Sequence, residues 1–190
     1  TGEFAATRKK TMIGFELSEE QRQLQDVARR FAENEIKPVA ASIDRIADPK
    51  AAFPLEVIRK GFELGFHSLL IPEAYGGMGG TTLDYAVLLE ELAAGDIGMA
   101  NAFHVVMSMS EMIARMGTPE QCERWLIPIA NDASGTHLIC FGATEPSGGS
   151  EIFCPLADPK LGTRTRAKRD GDHYVINGSK VFSSNAGVSK

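Results

Sequence analysis

The sequence predicts an α+β protein: an N-terminal all-α helical bundle followed by an antiparallel β-barrel-like domain that is incomplete within the 190 residues. Three observations predict it. Apolar residues recur at helical spacing from Leu24 to Ile129, this periodicity stops after Asn131-Asp132, and short strand-like runs divided by Gly, Pro and Asp follow. The change sets a boundary near residue 134, with a flexible arm over 1–17, a helical domain over 18–133 and the start of a β domain over 134–190.

The first helix opens at Ser18, an N-cap whose capping box is completed by Gln21, and Leu24, Val27, Ala28, Phe31 and Ala32 form its apolar face until Pro38 kinks or ends it. Pro54 opens the next at its first turn, with Leu55, Ile58 and Phe62 buried and Glu56, Arg59, Lys60 and Glu63 in solvent. The glycine run from Gly76 to Gly80 does not follow the dinucleotide-binding order and reads as a connecting loop. Leu83 to Ala94 is a further helix, with Ala86, Val87, Leu89 and Leu92 toward the core and Glu90-Glu91 outward.

Ile97 to Met116 is so apolar that a helix there is buried on most sides. Its five methionines suit a core and also a wall that accepts a flexible apolar ligand. Thr118-Pro119-Glu120-Gln121 is a second capping box, and Cys122, Trp125, Leu126 and Ile129 make the buried stripe behind it.

In the second part, Leu138 to Phe141 reads as a buried strand. Thr163, Thr165 and Ala167 alternate with Arg164, Arg166 and Lys168 as in a half-exposed strand, Asp170-Gly171 turns the chain, and Tyr174, Val175 and Ile176 continue the sheet. Lys190 follows before such a sheet could close or cover its core.

Charge and cysteine content narrow the function classes. A net charge of −5 with a pI near 5.4 lacks the basic footprint of a nucleic-acid binder. No stretch is apolar for long enough to span a bilayer, and the N-terminal residues around Arg8-Lys9-Lys10 lack the apolar region of a signal peptide. Cys122, Cys140 and Cys154 show no metal spacing and read as reduced core thiols in a reducing compartment.

Two stretches carry the chemistry. The apolar run opens into Phe141-Gly-Ala-Thr-Glu-Pro-Ser-Gly-Gly-Ser-Glu151, where Thr144 and Ser150 offer hydroxyls and Ser147, Gly148 and Gly149 leave backbone N–H groups uncovered. An ordinary turn has the same composition. The second stretch is Tyr174-Val-Ile-Asn-Gly-Ser-Lys-Val-Phe182-Ser-Ser-Asn185. In this order the two stretches resemble the acyl-CoA dehydrogenase family, a likeness that runs from about Phe15 to Lys190.

That resemblance implies FAD bound between a helical and a β domain, with an acyl-CoA thioester losing an α-proton to a glutamate and a β-hydride to flavin N5. It places Phe141, Ala143 and Thr144 at the flavin edge, Gly149 and Ser150 where flavin meets the CoA ester, Phe182 against the ring and Ser184 toward N5. It places Phe103 and His104 at the floor of the acyl pocket, although a lone histidine on an apolar helix is more often a core residue. The family's catalytic glutamate belongs to a C-terminal helical domain beyond these residues, so no catalytic residue is assigned here, Glu145 and Glu151 included. An electron-transfer flavoprotein as acceptor, a homotetramer or homodimer, and the bacterial cytoplasm or mitochondrial matrix are implied with it.

Phe182-Ser183-Ser184 stands where the family usually has Trp-Ile-Thr, Ser147 to Glu151 where it has Gly-x-Gly-Ser-Asp, and the segment from Ile152 to Gly162 is longer than usual. A related acyl-CoA oxidase or flavin-dependent monooxygenase would share the scaffold, and a flavin-free interaction module is the third class. Oxygen consumption and a visible flavin band separate them.

Overall fold

The computed structural model describes residues 16–48, 50–150 and 162–189. Most of the expected arm, together with Glu151, Cys154 and the segment 152–161, lies outside them.

The helices form where their caps direct. Helix α1 (Glu19–Phe31) begins after Ser18, whose hydroxyl accepts the Gln21 N–H while Gln21 caps Ser18 in return. The chain then widens into a π turn over Ala32–Ile36 before α2 (Lys37–Ile43), with Pro38 in its first turn. Pro38 has no N–H for the carbonyl one turn back, and the wide turn absorbs that missing bond. Helix α3 (Leu55–Glu63) has Pro54 as its N-cap, one residue earlier than the sequence predicts.

Helix α4 (Thr82–Gly95) is opened by a capping box that the sequence reading missed, Thr81 with Asp84. Helix α5 (Ile97–Met116) takes the predicted span, with Asp96 accepting the Met99 N–H, and α6 (Pro119–Ala130) starts on the Thr118–Gln121 box.

The core is aromatic. Phe31, Phe62, Phe66 and Phe103 come together from α1, α3, the loop after it and α5, with ring centroids 5.2 to 6.3 Å apart and mostly edge-to-face. Each buried ring contributes about 2 kcal/mol by removal from water. Gly61 makes room for them, since a Cβ there would come within 2.3 Å of the Phe103 ring. The glycine run serves packing too: a Cβ on Gly77 would meet the Ile71 carbonyl at 2.1 Å.

Several expected burial assignments are corrected. Leu55 and Trp125 are exposed, because Val57, Ile58, Gly61 and Phe62 on α3 and Cys122, Leu126 and Ile129 on α6 already fill the inward faces. On α4 the buried residues are Val87, Leu88, Glu91 and Leu92, and Ala86 is exposed. Glu91 faces inward because α1 packs across α4 and Arg29 reaches it with two hydrogen bonds, 2.7 and 3.0 Å. Of the methionines on α5, Met99 and Met107 are buried and Met112 and Met116 exposed. Cys122 is a buried free thiol and Cys140 an exposed one.

The second part is more open than predicted. Leu138 is buried against the helices, but Leu138 to Phe141 is no strand: its ladder is a single bridge from Phe141 to Ser184. Strands β1 (Arg166–Asp170) and β2 (His173–Asn177) pair antiparallel through the two-residue loop Gly171-Asp172. The loop thus lies one residue later than Asp170-Gly171, with Gly171 at φ +63° as a hairpin turn requires. The ribbon is exposed on both faces, not half-buried, since among the described residues no further strand pairs with it.

Candidate functional site: two loop edges in register

The two stretches singled out in the sequence meet. Phe141 bridges Ser184, and the Val181 N–H donates to the Thr144 carbonyl at 2.9 Å, so residues 141–145 run antiparallel to 180–184 in one register. In that register Ala143 lies opposite Phe182 and Glu145 opposite Lys180. The pairing is irregular because Phe182 and Asn185 adopt left-handed φ values of +57° and +62°. For Asn that region is tolerated, whereas for a bulky aromatic it is an outlier that its neighbours must enforce.

A partly buried ionic clamp lies two residues before Phe182 on the same edge. Lys180 Nζ donates to the Ala143 carbonyl and to Glu145 Oε1, each at 3.0 Å. The other contacts of Glu145 are backbone N–H groups, from Thr165 at 2.8 Å and Arg164 at 2.7 Å. Glu145 therefore gathers three segments around one carboxylate. The Thr165 amide first, then that of Arg164 and Lys180, hold this carboxyl down at about 2. A carboxylate held ionised at neutral pH with both oxygens engaged is a poor proton acceptor there.

The turn after Glu145 is closed by paired backbone bonds between Glu145 and Gly148. Gly149 then packs on Thr144: a Cβ there would fall 2.7 Å from Thr144 Oγ1. Ser150 follows, exposed at the loop's end. On the opposite edge the Phe182 ring is 90% exposed, and Ser184 turns back toward α5, where Asn101 donates to its Oγ at 2.9 Å. Thus Phe141, Ala143, Thr144, Gly149, Phe182 and Ser184 belong to one continuous edge, with Ser150 at its end.

The two residues expected on α5 part company. Phe103 is fully buried in the aromatic core, so its observed role is packing and not lining an open surface. His104 lies one turn beyond Asn101 and is hydrogen-bonded through Nδ1 to the Tyr85 hydroxyl of α4. Burial lowers the His104 pKa and raises that of Tyr85, with Glu111 adding to the latter, so both groups are neutral at pH 7. A phenol that donates to Nδ1 leaves the ring proton on Nε2.

Asn101, Tyr85 and the clamp Glu145–Lys180 are the contributors that sequence reasoning missed. Only the position of Lys180 opposite Glu145, two charges inside otherwise small-residue stretches, could have signalled the clamp. A cleft of about 390 Å³ bounded by Met112, Met116 and Trp125 lies on the last turns of α5, away from this edge.

The edge fits a planar aromatic cofactor with polar atoms on its rim. An aromatic ring stands free at Phe182, hydroxyls are present at Thr144 and Ser184, and the backbone at Gly142 and Gly149 carries no side chain. Among the described residues there is no group of three His, Cys, Asp or Glu that could hold a metal, and no helix long and apolar enough to cross a membrane.

Residues 18–133 match the model of the acyl-CoA dehydrogenase N-terminal domain. The chain is 38% identical over 180 residues to a probable acyl-CoA dehydrogenase, YngJ, of Bacillus subtilis, covering 94% of this chain and 43% of that protein. Its fold matches a glutaryl-CoA dehydrogenase from Mycobacterium smegmatis in complex with FADH2, at TM-score 0.74 and 30% identity, over 91% of this chain and 41% of that one. It also matches a chain in the structure of an electron transferring flavoprotein of Acidaminococcus fermentans, at TM-score 0.72 and 36% identity, over 92% and 42%. The chain thus spans about two fifths of the length of these relatives.

Proposed function

The chain belongs to the acyl-CoA dehydrogenase family, and from that premise we propose that it forms part of an FAD-dependent acyl-CoA dehydrogenase. The observation that carries the reading is the in-register meeting of residues 141–145 with 180–184, anchored on α5 through Asn101.

When bound, the flavin supplies the hydride acceptor. The chain's own residues then have distinct tasks. Thr144 and Ser184 present hydroxyls to the polar rim of the ring, Phe182 covers one side and excludes water, and Phe141 and Ala143 bound the edge. Gly149 lets the loop approach Thr144 closely, and Ser150 reaches toward the thioester side. Donors fixed before reaction near a developing negative charge stabilise it without reorganisation. His104, neutral and oriented by Tyr85, faces the far end of the acyl chain and discriminates by length. The proton acceptor is not among these residues, since Glu145 is spent on the clamp.

On the same reading the partner is an acyl-CoA, the electron acceptor an electron-transfer flavoprotein, the assembly a homotetramer or homodimer, and the compartment bacterial cytoplasm or mitochondrial matrix. The test is the visible spectrum of the full-length protein, including any sequence encoded beyond Lys190, titrated with acyl-CoA thioesters without oxygen. An oxidised flavin band that bleaches with a preferred chain length is the expected result. Protein that takes up no flavin on reconstitution overturns the reading, and rapid oxygen consumption with substrate replaces it with an oxidase.

A further inference from the structure

Ser184 is held from behind by a side chain of α5. Asn101, on the second turn of α5, donates Nδ2–H to Ser184 Oγ at 2.9 Å. The neighbouring Asn185 donates its own Nδ2–H to the carbonyls of Ala102, 3.1 Å, and Ile139, 3.2 Å. Residues 184 and 185 are therefore pinned to one turn of α5 by side-chain amides, and Phe141 bridges Ser184 from the other side. Both 184 and 185 are shielded from full exposure, so the bonds are not simply solvent-facing.

The direction of the Asn101 bond matters. A serine hydroxyl has one proton to give and two lone pairs to receive. Where Oγ accepts from Asn101, the Ser184 proton is not consumed by α5 and remains available to an acceptor on the open side. An acceptor at position 101 would take that proton instead, and the hydroxyl would turn its oxygen outward. One amide thus determines whether Ser184 acts as donor or acceptor, a choice that its own position does not make.

We infer that Asn101 is a positioning residue: by donating to Ser184 Oγ it commits the Ser184 O–H as a hydrogen-bond donor toward the cofactor edge, and so couples helix α5 to that edge. The inference rests on the flavin reading for the identity of the acceptor, but the Asn101–Ser184 bond itself does not. An oxidised flavin carries ring nitrogens and carbonyl oxygens that accept hydrogen bonds, so a committed donor suits its rim.

The test compares N101D, N101L, S184A and N101D/S184A in the full-length protein. In flavin-free protein, the side-chain amide signal of Asn101 in a ¹⁵N–¹H spectrum is expected to move on S184A. No movement overturns the hydrogen bond, whatever the cofactor proves to be. In flavin-loaded protein, N101D, which accepts where Asn donates, is expected to shift the visible flavin band and the midpoint potential in the same direction as S184A. It should also slow flavin reduction by substrate roughly tenfold to a hundredfold, within the range of losing one aimed donor, with KM little changed. N101L, which neither donates nor accepts, should fall between N101D and the unaltered protein. The double variant should be no worse than S184A alone.

An N101D protein with unaltered band and potential overturns the inference. So does a further loss on adding N101D to S184A, which would make Asn101 merely structural. A thermal unfolding midpoint for each variant identifies those that lose the fold, and where N101D or N101L is among them N101Q, which retains an amide donor, should restore the band. Failure of the band to return then counts against the inference. Absence of flavin in every variant and in the unaltered protein instead removes the flavin reading, and with it the acceptor.

Discussion

Lys180 Nζ lies 3.0 Å from Glu145 Oε1, and this ion pair joins two stretches separated by 35 positions in the sequence. The same lysine reaches the Ala143 carbonyl, and the same carboxylate collects the amides of Arg164 and Thr165. The pair is thus the knot that ties together the edge proposed to face the cofactor.

Lys180→Met is expected to loosen that edge while leaving the helical bundle folded, because none of the clamp's contacts touches the aromatic core. The protein should keep its far-ultraviolet helical signal and retain flavin at least several-fold more weakly, measured by flavin release on dilution. The Glu145 carboxyl lies at about 2 in the fold against 4.5 when free. A depressed carboxyl pKa contributes stability above the unfolded value and loses it as pH falls toward the folded one. Flavin release should therefore rise as pH is lowered from about 4.5 toward 2, and less so in Glu145→Gln.

Gly149→Ala places a methyl group 2.7 Å from Thr144 Oγ1 and 2.8 Å from its Cγ2. One of the two must move. Overpacking of this kind costs about 1–3 kcal/mol, equivalent to roughly 5- to 150-fold in cofactor affinity if the cost falls on the loop. Flavin titration into apoprotein measures it, and an unchanged affinity would show that the loop relaxes freely.

Asp132 secures the point where the helical domain ends. It is buried and accepts the backbone N–H groups of Ser134, Thr136 and His137 at 2.7 to 2.8 Å. Burial opposes its charge, but the Ser134 hydroxyl and these amides outweigh it and lower the carboxyl from 3.8 to about 2. Asp132→Ala should lower stability by about 3 kcal/mol, since three charge-assisted bonds lose their acceptor. The contribution is present above about pH 4 and lost as pH falls through about 2. Urea unfolding at pH 7 and pH 3 should show a smaller difference between variant and parent at the lower pH.

His104→Ala tests the proposed placement of His104 at the far end of the acyl chain. Removing the imidazole leaves Tyr85 without its partner and opens apolar space at the same place. The preferred acyl chain should lengthen, changing the ratio of kcat/KM between neighbouring chain lengths by about tenfold, the lower range of one methylene's worth. An unchanged ratio would assign His104 to packing.

Ser18 with Gln21 and Thr118 with Gln121 announced their helices, because a capping box closes within four residues and needs no distant partner. Glu91 did not announce that it was buried: its burial depends on Arg29 from another helix, and local charge suggested solvent. Trp125 was misjudged for the converse reason. It lies on an apolar helix, but Leu126 and Ile129 already fill the contact.

What the sequence determined by itself was local or ordered along the chain: the helix starts, the span of α5, the change of pattern after residue 131, and the two stretches whose order signals the family. Backbone hydrogen bonding and side-chain period set these within a few residues, and tertiary contacts did not overrule them. What only the tertiary structure decided were the pairings across long separations. Asn101 with Ser184 and Lys180 with Glu145 place polar partners 83 and 35 positions apart at hydrogen-bond distance. The placement of Phe103 in the core and His104 beside Tyr85, on adjacent residues of one helix, was decided in the same way. A helix turns about 100° per residue, so neighbours in sequence face different surroundings, and only the packing of the other helices says which surroundings those are.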